Sequence, residues 1–97
     1  MDDKEHVVYI LRCKDNSLYT GYTNNLENRL KAHRDGKGAK YTRGRGPFQV
    51  VYIEKIETKE QALKREYEIK QLKRKEKLLL IQNWLKEVVQ NENSKEL

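Results

Sequence analysis

The sequence predicts an α+β domain: a three-stranded antiparallel sheet flanked by helices, in the order β-β-α-β-α-α. Three observations predict it. Runs rich in β-branched and aromatic residues occur at His6–Cys13, Leu18–Tyr22 and Phe48–Ile56, which is the composition of strands. The cluster Lys14-Asp15-Asn16-Ser17 joins the first two runs, and Asp and Asn there tolerate the backbone angles of a tight turn. Capped segments with apolar residues at helical spacing follow the second and third runs.

The totals bound what such a domain does. The chain has 97 residues, of which 36% are hydrophobic and 37% charged, so it suits one domain with a small core. That domain is expected over 1–89, with a polar C-terminal tail over 90–97. No apolar run approaches the roughly 20 residues of a membrane helix. Met1–Glu5 lacks the form of a secretory signal, so a cytoplasmic protein with no membrane partner is expected. Cys13 is the single cysteine; it forms no intrachain disulfide and reads as a small packing residue. The formal charge of +6 favours a polyanionic partner.

The first helix opens with Asn24 as cap and Glu27 as the second half of a capping box, and Gly36 ends it. Leu26 and Leu30 define its core stripe. Arg29 and His33 fall on the flank of that stripe rather than opposite it. A loop from Asp35 to Pro47 then holds four of the chain's 5 glycines with Lys37, Lys40, Arg43 and Arg45. Thr58 with Gln61 caps a second helix from about Lys59. Its apolar arc is read as Ala62, Leu63, Tyr67 and Ile69, with Glu66 inside that arc. A charged break is expected over Lys73–Lys77. A third helix is expected over Leu78–Val89, with Leu80, Ile81, Trp84, Leu85 and Val88 facing inward.

Several of these residues suit work on a phosphodiester. Arg29 offers a planar, permanently charged guanidinium that grips phosphate oxygens in pairs. A carboxylate on a buried stripe is costly unless a cation meets it. For Glu66 that cation is either Lys70, one turn on, or a metal ion; Mg²⁺ is often held by only one or two carboxylates plus phosphates and water. Tyr9 and Tyr19 are phenols with an ordinary pKa near 10, so either acting as a base needs help worth about 4 kcal/mol. His33 suits relaying a proton or positioning a phenol. Zinc is disfavoured, because His6 and His33 are the only histidines. Taken singly, each has a plainer reading: Tyr9 and Tyr19 as sheet residues, Arg29 as a surface charge, His33 at a helix C-terminus, Glu66 in an ion pair.

In order and spacing, this set resembles the GIY-YIG nuclease superfamily, in particular its small stand-alone bacterial members. Val7-Val8-Tyr9 is similar to the first motif and Tyr19-Thr20-Gly21 to the second. Arg29 and His33 resemble the arginine and histidine of the following helix, and Glu66 the metal-binding glutamate. The resemblance covers Glu5 to Ile81. Val7 replaces the first motif's glycine and Thr20 the second motif's isoleucine, and both keep β-branched strand residues. Asn83 is too poorly spaced to take the role of the late asparagine of many members.

The resemblance implies a metal-dependent endonuclease or phosphodiesterase acting on DNA, branched or single-stranded. A tyrosine assists the attacking water, Arg29 stabilises the transition state, and Glu66 holds one divalent ion, Mg²⁺ or Mn²⁺. Repair excinucleases, homing endonucleases, restriction enzymes and junction-resolving subunits share this module. Of the two phenols Tyr9 is the preferred base. Target binding rests on Lys40, Arg43, Arg45 and Lys70, which grip phosphate with little base specificity, and a protein partner for targeting is a further expectation. The runner-up is a nucleic-acid-binding module of the same fold with little cleavage. A third reading is an interaction domain using the apolar face of helix three.

Overall fold

The computed structural model describes residues 5–96. Its elements are β1 (His6–Arg12), β2 (Leu18–Thr23), α1 (Leu26–Arg34), a short 3-10 turn (Lys40–Thr42), β3 (Gln49–Ile56), α2 (Lys59–Gln71) and α3 (Arg74–Glu96). The strands form one antiparallel sheet in the order β2-β1-β3. This is the expected α+β order.

The central place of β1 explains its composition. Val7 to Leu11 are all buried, so the strand is an unbroken apolar run rather than an alternating one. One face carries Val7, Tyr9 and Leu11 and is covered by Leu26 and Leu30 of α1, with Phe48 beside them. The other carries Val8 and Ile10 and is covered by Ala62 and Ile69 of α2 and Ile81 of α3. Trp84 packs on Tyr52 there, ring centroids 6.2 Å apart. Cys13 is buried, as a packing residue should be.

The hairpin turn uses Asn16 at φ +68°, and Gly36 at φ +74° follows the end of α1, where a residue without Cβ is unstrained. At the start of α1 the cap is Asn25, not Asn24. Its side chain accepts the Asn28 N–H at 3.1 Å, because the Thr23 hydroxyl takes up the Asn25 N–H and leaves Asn24 in the turn. Glu27 remains in the first turn, facing the positive helix end. Thr58 caps α2 as expected, accepting the Gln61 N–H.

Three expectations about the last two helices are corrected. Leu63 and Tyr67 are exposed, Tyr67 at 65%; the buried stripe of α2 is Ala62 and Ile69 with Glu66 between them. The break is present but shorter than expected: α2 ends at Gln71 and only Leu72 and Lys73 lie between it and α3. Leu72 is extended, the Lys73 N–H donates to Glu76 Oε1 at 2.8 Å, and Arg74–Lys77 form the first turn of α3. Leu85, expected to face inward, is exposed. The stretch read as a tail is helical as far as Glu96, while Met1–Lys4 and Leu97 lie outside the described residues. No helix among the described residues is long and apolar enough to cross a membrane.

Candidate active site

Sheet register brings the two phenols together. Tyr9 pairs across the ladder with Gly21, and Tyr19 lies two residues along β2, so all three point to the face covered by α1. The Tyr9 and Tyr19 rings lie 6.3 Å apart, tilted by 53°. Gly21 makes this possible, since a Cβ there would stand 2.6 Å from the Tyr9 hydroxyl and 2.9 Å from Tyr19 Cε2. The glycine of Tyr-Thr-Gly is therefore a matter of space rather than of turning.

Arg29 and His33, one turn apart on α1, descend onto these rings. His33 is buried. Its Nε2 lies 2.8 Å from the Tyr9 hydroxyl and its Nδ1 2.9 Å from Thr42 Oγ1. Tyr19 and Phe48 meet the imidazole edge-on, at 5.4 and 6.0 Å between centroids. Gly38 backs the ring so closely that any side chain there would overlap Nδ1. Arg29 lies close enough to both phenols to interact with them, with Tyr9 more than with Tyr19.

Burial dominates the electrostatics. It pushes the Tyr9 phenol up to about 12, against the pull of Arg29, while Tyr19 and Glu66 add to the rise. This is opposite to the help expected for a base. Burial also lowers His33 below its usual range, and the charge of Arg29 lowers it further, so the imidazole is neutral at physiological pH. Burial works against the charge of Arg29, but its contacts with Tyr9 and then Tyr19 outweigh that and hold its proton more tightly. The phenols differ in access: Tyr9 is 0% exposed, and Tyr19 is half-buried.

Glu66 approaches from α2. Its side chain is 18% exposed and pairs with Lys70 Nζ at 3.0 Å, so the ordinary ion-pair partner is present. The carboxylate is also near enough to raise the cost of a Tyr9 phenolate. Among the described residues no three His, Cys, Asp or Glu side chains gather to hold a metal. A largely buried carboxylate outside any such cluster fits a hard cation that keeps water and substrate oxygens as its other ligands. It does not fit a metal enclosed by protein.

An open pocket of about 390 Å³ adjoins Tyr19, lined by Leu18, Tyr19, Thr20, Tyr41, Lys70 and Lys77. Lys77 reaches it because Arg74 donates to the Asn16 carbonyl at 2.8 Å, drawing the start of α3 to the hairpin turn. Of the basic residues expected to bind nucleic acid, Lys40 and Arg43 are exposed and Lys70 lines the pocket. Arg45 is otherwise engaged: it pairs with Asp15 and lies 4.4 Å from the Tyr41 ring centre. Asn83 is exposed. Sequence reasoning missed Tyr41, Thr42 and Lys77. The available signal was an aromatic and a hydroxyl between Lys40 and Arg43 in an otherwise basic loop.

Sheet order, flanking helices and the tyrosine–arginine–histidine cluster define the GIY-YIG class. The family model for the GIY-YIG catalytic domain matches residues 5–79, and the chain belongs to that family, alongside the bacterial UPF0213 proteins. It is 66% identical over 80 residues to the UPF0213 protein OB0043 of Oceanobacillus iheyensis, covering 82% of this chain and 93% of that one. To the UPF0213 protein YazA of Bacillus subtilis it is 49% identical over 82 residues, covering 84% and 83%. Two solution structures share the fold. The UPF0213 protein BH0048 of Bacillus halodurans has a TM-score of 0.55 at 54% identity, covering 80% of this chain and 83% of that one. EF2693 of E. faecalis has a TM-score of 0.60 at 42% identity, covering 84% and 88%. The GIY-YIG family is a nuclease superfamily, generally dependent on a divalent metal, and its fold implies a nucleic-acid substrate.

Proposed function

We propose that this protein is a metal-dependent endonuclease that hydrolyses DNA phosphodiesters in the pocket beside Tyr19. One observation carries the reading: a guanidinium, Arg29, lies beside two phenols that converge from adjacent strands, and one of them, Tyr19, also lines a pocket with Lys70 and Lys77. That is a place for an anion with a polar group beside it.

Arg29 would bind the scissile phosphate and meet the charge that grows on its oxygens as the attacking bond forms. Lys70 and Lys77 would hold neighbouring phosphates. Tyr19 is the phenol with access to substrate, so it is the one we place against the attacking water. This departs from the preference for Tyr9 on sequence grounds. Complete burial denies Tyr9 direct contact, and a pKa of about 12 makes a free phenolate at neutral pH cost roughly 7 kcal/mol. Tyr9 instead works with His33, whose Nε2 stands 2.8 Å from the hydroxyl and can take its proton as charge develops nearby. Glu66 would hold the divalent ion, Mg²⁺ or Mn²⁺, which when bound supplies Lewis-acid polarisation of a phosphate oxygen.

The Glu66–Lys70 pair favours a second reading, in which the carboxylate is already neutralised and the domain binds nucleic acid without cutting it. A panel of single-stranded, branched and duplex DNA separates the two. The nuclease nicks at least one substrate with Mg²⁺ or Mn²⁺ and none with chelator. The binder retains affinity that falls with salt and cuts nothing.

A further inference from the structure

We propose that Thr42 is a positioning residue: its hydroxyl fixes neutral His33 in the tautomer protonated on Nδ1, which leaves Nε2 as the acceptor of the Tyr9 proton. The inference rests on the Tyr9–His33 pairing proposed above and adds the residue that sets its direction.

The direction follows from counting protons along three contacts. Thr42 Oγ1 lies 2.8 Å from the Ala39 carbonyl and 2.9 Å from His33 Nδ1, and His33 Nε2 lies 2.8 Å from the Tyr9 hydroxyl. A carbonyl only accepts, and a hydroxyl has one proton to give. Thr42 gives that proton to Ala39, so toward His33 it only accepts, and Nδ1 carries the hydrogen. A neutral imidazole has one N–H, so Nε2 presents its lone pair to Tyr9, which donates.

The other end of the chain fits the same direction. Were it reversed, Nε2–H would point at the Tyr9 oxygen, and the phenolic proton would lose its His33 acceptor at a fully buried position. Burying an unpaired polar group is costly. Tyr9 and Tyr19 from the sheet and Arg29 from α1 are the titratable and charged groups around the ring, and none of them competes with Thr42 for Nδ1.

When Tyr9 gives up its proton, its O–H bond breaks as an N–H bond forms at Nε2. The imidazolium keeps its Nδ1–H on Thr42, and the phenolate lies beside Arg29. In the opposite tautomer Nε2 is already protonated, and this transfer cannot occur.

The test is nitrogen NMR of the ¹⁵N-labelled full chain, well above the ordinary imidazole pKa, with His33 told from His6 by a His6→Gln variant. We expect wild-type His33 to show a protonated Nδ1 and a bare Nε2. Thr42→Ser, which restores the hydroxyl, should keep that pattern and keep cleavage. Thr42→Val, which keeps the shape and removes the acceptor, should move the proton to Nε2 in a large share of molecules. It should cut cleavage by about 10-fold to 100-fold, the scale on which orienting partners of functional histidines act, with DNA affinity unchanged. A protonated Nε2 in the wild type, or a Thr42→Val spectrum identical to wild type, overturns the inference. If Thr42→Val does not fold, the wild-type and Thr42→Ser spectra decide. Absence of cleavage by wild-type protein would overturn the nuclease reading alone, since the tautomer is read from the free protein.

Discussion

Gly21 stands directly across the ladder from Tyr9, and the space its missing side chain leaves is filled by the Tyr9 hydroxyl. Gly21→Ala should therefore act on site and stability together. The Tyr9 ring is enclosed on every side, so neither ring nor backbone yields cheaply. Overpacking of this kind costs about 1–3 kcal/mol, and a domain this size loses about 4–8 °C of Tm for each kcal/mol. Thermal unfolding should show that fall, and cleavage should drop far more than the fraction unfolded accounts for. Wild-type Tm and activity in Gly21→Ala would mean that the two phenols need not meet.

Alkaline titration followed by tyrosinate absorbance tests the burial of the phenols. Tyr9 and Tyr52 are both pushed up to about 12, in each case first by burial. Two of the chain's 6 tyrosines should thus ionise late, and Tyr9→Phe should remove one of them. The folded value lies above the unfolded one of 10.0. The stability this gives is complete below pH 10.0, and it is lost as pH rises from there toward about 12.

His33 gives the opposite signature in acid. Burial, and then Arg29, hold its folded pKa below the ordinary 6.5, so below that pH the unfolded chain binds a proton that the folded chain refuses. Stability should be complete above pH 6.5 and should decline as pH falls from 6.5 to the lower folded value. Chemical unfolding across this range should show the decline in wild type and a smaller one in His33→Gln. Equal declines would place the acid sensitivity elsewhere.

Lys77 is expected to contribute through phosphate contact alone. Lys77→Ala should weaken binding to all DNA sequences alike and reduce the dependence of log affinity on log salt by about 1. Binding isotherms at several salt concentrations measure this. An unchanged slope would remove the pocket beside Tyr19 from the nucleic-acid path.

Much of this site was legible in the sequence because its logic is local. Tyr9, Tyr19 and Gly21 sit on two strands joined by a tight turn, so their register follows from the hairpin. The flank position of Arg29 and His33 follows from helical period, as does the place of Glu66 between Ala62 and Ile69. What was not legible depends on contacts between distant segments. The Thr42 hydroxyl reads as one more polar loop residue until the loop folds back under His33. Lys77 falls in a charged run that reads as all break, whereas the break stops at Lys73, whose N–H the Glu76 side chain accepts as α3 begins. The pKa of Tyr9 moves in the direction opposite to the one its role required, because complete burial is a property of the assembled core. The cap slipped from Asn24 to Asn25 for a smaller reason of the same kind, a hydroxyl at Thr23 claiming the Asn25 N–H.

The most direct test is metal-dependent cleavage by wild type and Glu66→Gln, measured together with DNA affinity. Glutamine keeps the size of the side chain and removes its charge, so the α2 face should still pack. Wild type should cut in Mg²⁺ or Mn²⁺, and Glu66→Gln should lose about 100-fold or more of that rate while binding DNA at least as tightly, since Lys70 is freed from its carboxylate partner. Equal cleavage by the two proteins, or none by wild type with any metal and any DNA, would contradict the account.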